Sequence, residues 1–372
     1  MTKSVLVTGG AGFVGSHLVD ALLSAGHRVR VFDNLTQQVH DNQIPDYLAP
    51  DAELVLGNLC DEVAVHHALE GIEVVFHLGA VVGVGQSMYE ISRYVGVNTL
   101  GTAVLLQEIL NQKNKIEKLI LASSMSIYGE GKYVCDPCGD MAPPLRSAEQ
   151  LRTKHWETLC PECGAILKPA ATDESKPLQC SSIYALSKKD QEEMSLLYGR
   201  TYGLPVVALR YFNIYGARQA LSNPYTGVAA IFGSRLLNRK APLVFEDGRQ
   251  MRDFVCVDDV VQANLLAMER SAADGMALNI GSGEPISIQD VALTLSTALR
   301  TTIPAELTGK YRAGDIRHCF ADISRARKLL GYKPRFNFKE GVRDLAAWLR
   351  SQQPKDRAAE ADVELKYYGL TA

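Results

Sequence analysis

Neither sign of charge dominates this 372-residue sequence: 39 lysines and arginines stand against 42 acidic residues, a formal net charge of -3. That balance excludes the global basic field that gathers nucleic acid or an anionic membrane, so neither is an expected partner. Long hydrophobic runs are also missing, and none approaches the roughly 18 residues that span a bilayer. The opening MTKSVLVTGGAG passes from one lysine into a short apolar strand and a glycine turn, without the longer apolar run and cleavage site of a signal peptide. A cytoplasmic location is therefore expected, with the eight cysteines mostly reduced. Five of them crowd between Cys135 and Cys180, too unevenly for a disulfide framework spread over the fold. There is no internal repeat and no low-complexity tract.

What is present is an ordinary globular composition, 47% hydrophobic, with length for about two domains. Short β-branched runs (SVLVT, RVRVFD, AELVLG, EVVFHL, KLILAS, VVALRY) alternate with helix-length segments. Strands spaced this way pair in parallel through right-handed crossovers, which predicts a doubly wound α/β sheet of Rossmann type. A first helix is predicted over 16–25, ending at Gly26. After RYFNIYG the alternation breaks down, predicting a smaller substrate-binding lobe. The expected organisation is a dinucleotide-binding domain over 1–212, carrying an insert at 133–171. A mainly substrate-binding lobe follows over 213–352, with some segments returning to the first domain, and a peripheral polar tail occupies 353–372.

Gly9, Gly12 and Gly15 lie between the first strand and its helix, where bare backbone can approach a pyrophosphate at a helix N-terminus. Asp33 ends the next strand, where a carboxylate can accept hydrogen bonds from an adenosine ribose. It repels a 2′-phosphate and no arginine follows in NLT, so tightly bound NAD is favoured over NADP. Phe13 and Val14 of the turn, Asn34 beside Asp33, Asn58 and Leu59 after the third strand, and Leu78 and Ala80 after the fourth are expected around the same cleft.

SSIYALSKKDQEEM places Tyr184 and Lys188 at i and i+4 on one helix face. An ammonium beside a phenol, together with the positive charge of oxidised nicotinamide, lowers the phenol's pKa toward a working general base. Upstream, LILASSMSIYG ends a strand with Ser123, Ser124 and Ser126, hydroxyls able to bond a sugar oxygen.

Glycine turn, Asp33, strand-end serines and Tyr-x-x-x-Lys, in that order, resemble the extended short-chain dehydrogenase/reductase family of nucleotide-sugar epimerases and dehydratases. The likeness extends through VNTLGT, LRYFNIYG, RDFVCVDDV, LNIGSGEPISI and RAGDIRHCFADISRARKLLGYKP. It implies Ser124, Tyr184 and Lys188 as the catalytic set, and Asn98 holding the catalytic helix and nicotinamide. It further implies Asn213 on the nucleotide diphosphate, Arg252 and Arg312 on phosphate, Asp315 on the nucleotide ribose, and Ser126 facing the sugar. A homodimer and a nucleotide-diphosphate sugar substrate follow from the same likeness.

Family members that eliminate water typically carry Asp-Glu before VYG, and its decarboxylases a Glu; here the stretch is Met125, Ser126 and Ile127. Epimerisation beside a ketone needs a second acid/base residue, which Val84 to Gln86 do not supply. Reversible oxidation at carbon 4 fits the remaining machinery: a 4-keto sugar turns over and receives hydride on its other face. The cysteine insert narrows the resemblance to a bacterial dTDP-L-rhamnose 4-epimerase subgroup, whose second epimer is the 6-deoxy-L-talose nucleotide. UDP-hexoses stay open. A 4-keto-sugar reductase would share the catalytic residues but should prefer NADPH. A non-catalytic NAD-sensing or RNA-binding relative is opposed by intact catalytic residues and the lack of a basic stripe.

Cys135-x2-Cys138 and Cys160-x2-Cys163 are 21 residues apart, close to the spacing of four-thiolate zinc sites, with Gly139 and Gly164 following each pair. Four thiolates saturate Zn2+, so the metal would be structural. A redox dithiol is the rival reading, and His155 and Cys180 are spare candidate ligands. Because the insert leaves beside Ser124 and returns before Tyr184, a metal-held flap over the sugar end, or a contact with a neighbouring subunit, is expected.

Overall fold

A computed structural model describes residues 2–112, 116–312 and 314–371. Its centre is a seven-stranded parallel sheet: β1 (Ser4–Thr8), β2 (Arg28–Asp33), β3 (Glu53–Leu56), β4 (Val74–His77), β5 (Lys118–Ser124), β6 (Val206–Tyr211) and β7 (Met276–Ile280). They lie in the order β3-β2-β1-β4-β5-β6-β7. β4, β5 and β6 are buried at every position, as strands covered by helices on both faces must be. Two apolar cores result, one on each side of the sheet.

The chain order reverses between β1 and β4, and ligands of such sheets bind at this switch, beyond the strands' carboxyl ends. Thr8, Asp33, His77, Ser124 and Tyr211 are the last residues of their strands. The first helix covers Phe13–Ser24, three residues ahead of its predicted start. Gly12, extended at φ -73°, serves as its N-cap, so the helix opens directly on the glycine turn. Ile183–Tyr202 is a 20-residue helix whose N-cap Ser182 accepts the Ala185 amide hydrogen and whose C-cap Gly203 is left-handed.

Beyond β6 the chain builds a separate apolar core: the helix Val228–Leu237, before β7, and the helices Ile288–Ala298 and Phe338–Arg350, after it, pack around Phe232, Phe254, Leu295 and Leu345. The Asn213–Tyr215 and Met251–Cys256 strands, with Pro285–Ser287 and His318–Cys319, form a small sheet beside it. The insert is a three-stranded antiparallel sheet, Lys132–Cys135 between Gly139–Met141 and Lys168–Ala170. Its core is only Tyr133, Cys135, Cys160 and Leu167. So small an apolar cluster needs a further staple to hold its shape.

The tail is not peripheral. Its helix, Ala358–Tyr367, packs on the edge of the main cleft, where Glu364 accepts hydrogen bonds from the hydroxyls of Tyr89 (2.8 Å) and Tyr225 (2.5 Å). Tyr368 stacks on Tyr89 with ring centres 4.6 Å apart. No helix among the described residues is long and apolar enough to cross a membrane.

Candidate active site

The carboxyl ends of the strands open on a cleft of roughly 750 Å³. At one end the chain crosses from β1 to its helix on bare backbone. Gly9 is left-handed at φ +68°, and a Cβ there would lie 2.8 Å from the backbone of Gly79. A Cβ on Gly15 would strike the Gly9 carbonyl, and one on Gly12 would stand 3.2 Å from it. A cradle this close to the helix N-terminus fits a dinucleotide pyrophosphate. Asp33 is aimed by two backbone N–H groups, from Ala11 at 3.1 Å and Leu35 at 3.0 Å. Its carboxylate lies on the cleft wall beside Asn34, where a ribose hydroxyl fits and a phosphate would be repelled. Phe13, Val14, Asn58, Leu59, Leu78 and Ala80 line the same cleft.

Asn98 does not line it. The residue is fully buried behind the wall, its side-chain oxygen accepting from Val81 N–H (2.8 Å) and its amide donating to the Val81 carbonyl (3.1 Å) and Ser187 Oγ (2.9 Å). All its capacity is spent tying the β4 loop to the Ile183–Tyr202 helix, so it positions that helix and has no free group for a cofactor. Around it runs a closed polar network: His77 bonds Thr8 (2.8 Å) and Thr102 (3.0 Å), Gln191 donates to Thr102 (2.7 Å), and Thr102 donates to the Asn98 carbonyl (2.6 Å). Burial and the charge of Lys188 push His77 down to about 3, so the ring is neutral.

Ser124, Tyr184 and Lys188 converge in the middle of the cleft. Tyr184 and Ser124 line the cleft together, and Ser126 donates its hydroxyl to Ser124 Oγ at 2.9 Å. Ser123 does not join them: its hydroxyl donates to Glu192 at 2.6 Å, in a buried cluster with Arg210. Burial raises the Tyr184 pKa, opposed by the neighbouring Ser124 hydroxyl, while burial pushes Lys188 down to about 7 against the pull of Glu192. A positive charge in the cleft would act against the rise at Tyr184, favouring the phenolate.

At the far end, Arg252, Arg312, Asp315 and Asn213 all face the cleft. The Arg252 guanidinium donates to the carbonyls of Met251 (2.9 Å), Ile316 (2.7 Å) and Arg317 (3.0 Å), which anchor the cation there. Arg312 lies over the Phe245 ring at 4.3 Å, its buried Nε without a partner, and Asn213 Oδ1 is likewise buried and unpartnered. A guanidinium donor without a partner beside the anchored Arg252 suits an anionic ligand, whereas the Asn213 oxygen can only accept a hydrogen bond. Sequence reasoning missed that the tail contributes wall: Ala361, Asp362 and Leu365 line the cleft. Only their short amphipathic spacing could have pointed to it.

The four insert cysteines meet. Their sulfurs all lie within 4.8 Å of one another, Cys135 and Cys163 at 3.5 Å. A tetrahedral ion with Zn–S bonds of about 2.3 Å needs sulfurs about 3.8 Å apart, so the set fits. Both knuckle glycines, Gly139 and Gly164, are left-handed, and N–H groups of Cys163 and Glu162 draw the Cys160 thiol down to about 7. His155 and Cys180 stand outside the cluster. The insert is not a flap over the sugar end, for no residue of 133–171 lines the cleft among those described. It packs instead against Tyr311, Asp315, Arg317 and His318.

Residues 5–149 match the NAD dependent epimerase/dehydratase family and residues 164–345 match GDP-mannose 4,6 dehydratase, the break falling inside the insert. The chain is 33% identical to dTDP-L-rhamnose 4-epimerase of Burkholderia thailandensis, over 94% of this chain and 96% of that protein. It resembles the solved structure of UDP-glucose 4-epimerase with UDP-glucose from Thermotoga maritima, with a TM-score of 0.76, 30% identity, and 94% and 99% of the two chains covered. UDP-glucuronic acid 4-epimerase from Bacillus cereus, in complex with UDP-glucuronic acid and NAD, matches with a TM-score of 0.76, 26% identity, and 94% and 99% coverage.

Proposed function

Because this chain belongs to the NAD dependent epimerase/dehydratase family, in which it is a nucleotide-sugar epimerase, we propose that it inverts carbon 4 of dTDP-L-rhamnose to give the 6-deoxy-L-talose nucleotide, and the reverse. The observation that carries the reaction type is the Ser124, Tyr184 and Lys188 cluster followed by Met125, Ser126 and Ile127, with no carboxylate where dehydratases and decarboxylases need one.

Bound NAD would supply the hydride acceptor and its return. Tyr184 Oη takes the proton of the C4 hydroxyl as C4 gives up its hydride, and later returns a proton to the same oxygen. Ser124, donating to that oxygen, holds the sugar at reaction distance. Lys188, one turn along the helix from Tyr184, supports the phenolate when charged. The 4-keto sugar turns within the cleft while the diphosphate stays held, and the second face of C4 then receives the hydride. Proton and hydride balance over the cycle, so no external reductant is consumed.

Gly9, Gly12, Gly15 and Asp33 are proposed to hold the dinucleotide, and Arg252, Arg312, Asp315 and Asn213 the nucleotide diphosphate; the cradle and the anchored cations support both roles. Zinc is proposed at Cys135, Cys138, Cys160 and Cys163 on the strength of the converging sulfurs. A homodimer is supported by exposed Ile91, Val95, Leu100, Leu186 and Leu197, on two helical segments that pack side by side. The likeness to UDP-glucose 4-epimerase supports a UDP-hexose as the second reading. Incubation with dTDP-L-rhamnose, UDP-glucose and UDP-glucuronate without added cofactor should give the C4 epimer of the first by NMR. Turnover only as NADPH-dependent reduction of a 4-keto sugar would overturn the assignment.

A further inference from the structure

The stretch between the two cysteine pairs, 142–159, carries three residues whose only evident work is on another part of the chain. Arg146 clasps Glu246 with both terminal nitrogens, at 2.9 and 2.8 Å, and donates from one of them to the Asp315 carbonyl at 3.1 Å. Glu157 accepts from Arg317 at 2.6 Å. Trp156 lies against Tyr311 with ring centres 6.5 Å apart, and its carbonyl accepts from Arg146 at 3.0 Å.

Arg317 in turn donates to Glu246 (2.9 Å) and Asp247 (2.7 and 3.0 Å). The backbone N–H of Arg317 goes to Glu130, just before the insert, at 2.7 Å. The Arg146, Arg317, Glu130 and Glu246 side chains are at most 2% exposed. Planar bidentate pairs removed from water fix geometry more than they add stability.

What this cluster grips is Tyr311 and the 315–318 stretch; Arg312, next to Tyr311, and Asp315 both face the cleft. The sequence between the cysteine pairs closes as a loop on the four thiols, and closing a loop lowers the entropy cost of holding its middle in place. We infer that the insert is a metal-closed brace: Arg146 and Glu157 are positioning residues that hold Arg312 and Asp315 in register for the nucleotide diphosphate, so that loss of the metal weakens nucleotide binding and spares the hydride chemistry. This rests on the reading of Arg312 as a phosphate contact.

The test compares the full-length holoprotein with Arg146→Lys, Glu157→Gln, Cys160→Ser/Cys163→Ser and Arg312→Met. Calorimetric titration with dTDP and with UDP is read beside KM, kcat and bound NAD. The expected result is a Kd for the nucleoside diphosphate and a KM that rise together, on the order of tenfold, in the insert variants. Their kcat should stay within about twofold and their NAD content should equal wild type. A general structural defect would lower kcat or NAD content as well. Glu157→Gln touches a pair that is 39% exposed on the glutamate side, so it should fold even if a buried substitution does not. If Arg312→Met weakens nucleotide binding while the insert variants bind as wild type, the brace is refuted and the site reading stands. If Arg312→Met leaves binding unchanged, the site reading is refuted and the brace falls with it.

Discussion

Tyr184 and Lys188, proposed as a catalytic pair, are both buried, and burial disfavours the charged form of each. Replacing Tyr184 with Phe removes the proton acceptor and should lower kcat by about 10²–10⁴-fold with bound NAD unchanged, checked by NMR turnover and cofactor extraction. Lys188, pushed down to about 7, carries a pH signature. Between about 7 and the ordinary lysine value near 10.4, the unfolded chain binds a proton that the folded chain has released, so stability rises with pH across that window. Lys188→Met should flatten the rise in urea midpoint between pH 7 and 9. A slope equal to wild type would place the titration elsewhere. At this scale the sequence was informative where spacing alone dictates geometry: Gly9, Gly12, Gly15, Asp33 and the i, i+4 pair. It was silent where tertiary partners decide. Asn98 looks like a cleft residue in one dimension, yet it lies behind the wall with its amide bonded to Ser187, and Ser123 lines the cleft with its hydroxyl claimed by Glu192.

The insert and the tail are the two elements whose place could not be read. Cysteine spacing announces a shared site, but the partners of Arg146 and Glu157 lie 100 and 160 residues further along the chain, at Glu246 and Arg317. No local pattern encodes such pairs. With a core of four residues, the insert should depend on the metal proposed at its four cysteines. Chelation is expected to open 142–159 to limited proteolysis while the seven-stranded sheet stays intact, as seen by mass mapping of fragments and far-UV circular dichroism. Equal protease resistance with and without metal would contradict a zinc staple. The polar tail reads as peripheral because few of its residues are apolar, and the few that matter, Ala361 and Leu365, suffice to make wall. Ending the chain at Gln352 should raise KM several-fold and leave thermal stability within a few degrees.

On the scale of the whole molecule, the sheet was legible because buried parallel strands are written as continuous apolar runs. β7 was not: Met276–Ile280 enters the sheet only after the chain has left it for the Val228–Leu237 helix and the Met251–Cys256 strand, and its pairing with β6 joins residues about seventy positions apart. The resulting cleft is lined on three sides: by the carboxyl ends of the strands with the Ile183–Tyr202 helix, by the stretch that carries Arg252 and Arg312, and by the tail helix. A molecule so arranged can hold the diphosphate at one end while a neutral 4-keto ring turns at the other, which is the central claim. It is tested most directly by turnover of dTDP-L-rhamnose in D2O without added cofactor, followed by NMR. The expected product is the C4 epimer with ordinary hydrogen at C4 and no deuterium at any ring carbon, because the hydride that leaves is the one that returns. Deuterium at a ring carbon, or no epimer unless NADPH is supplied, would contradict it.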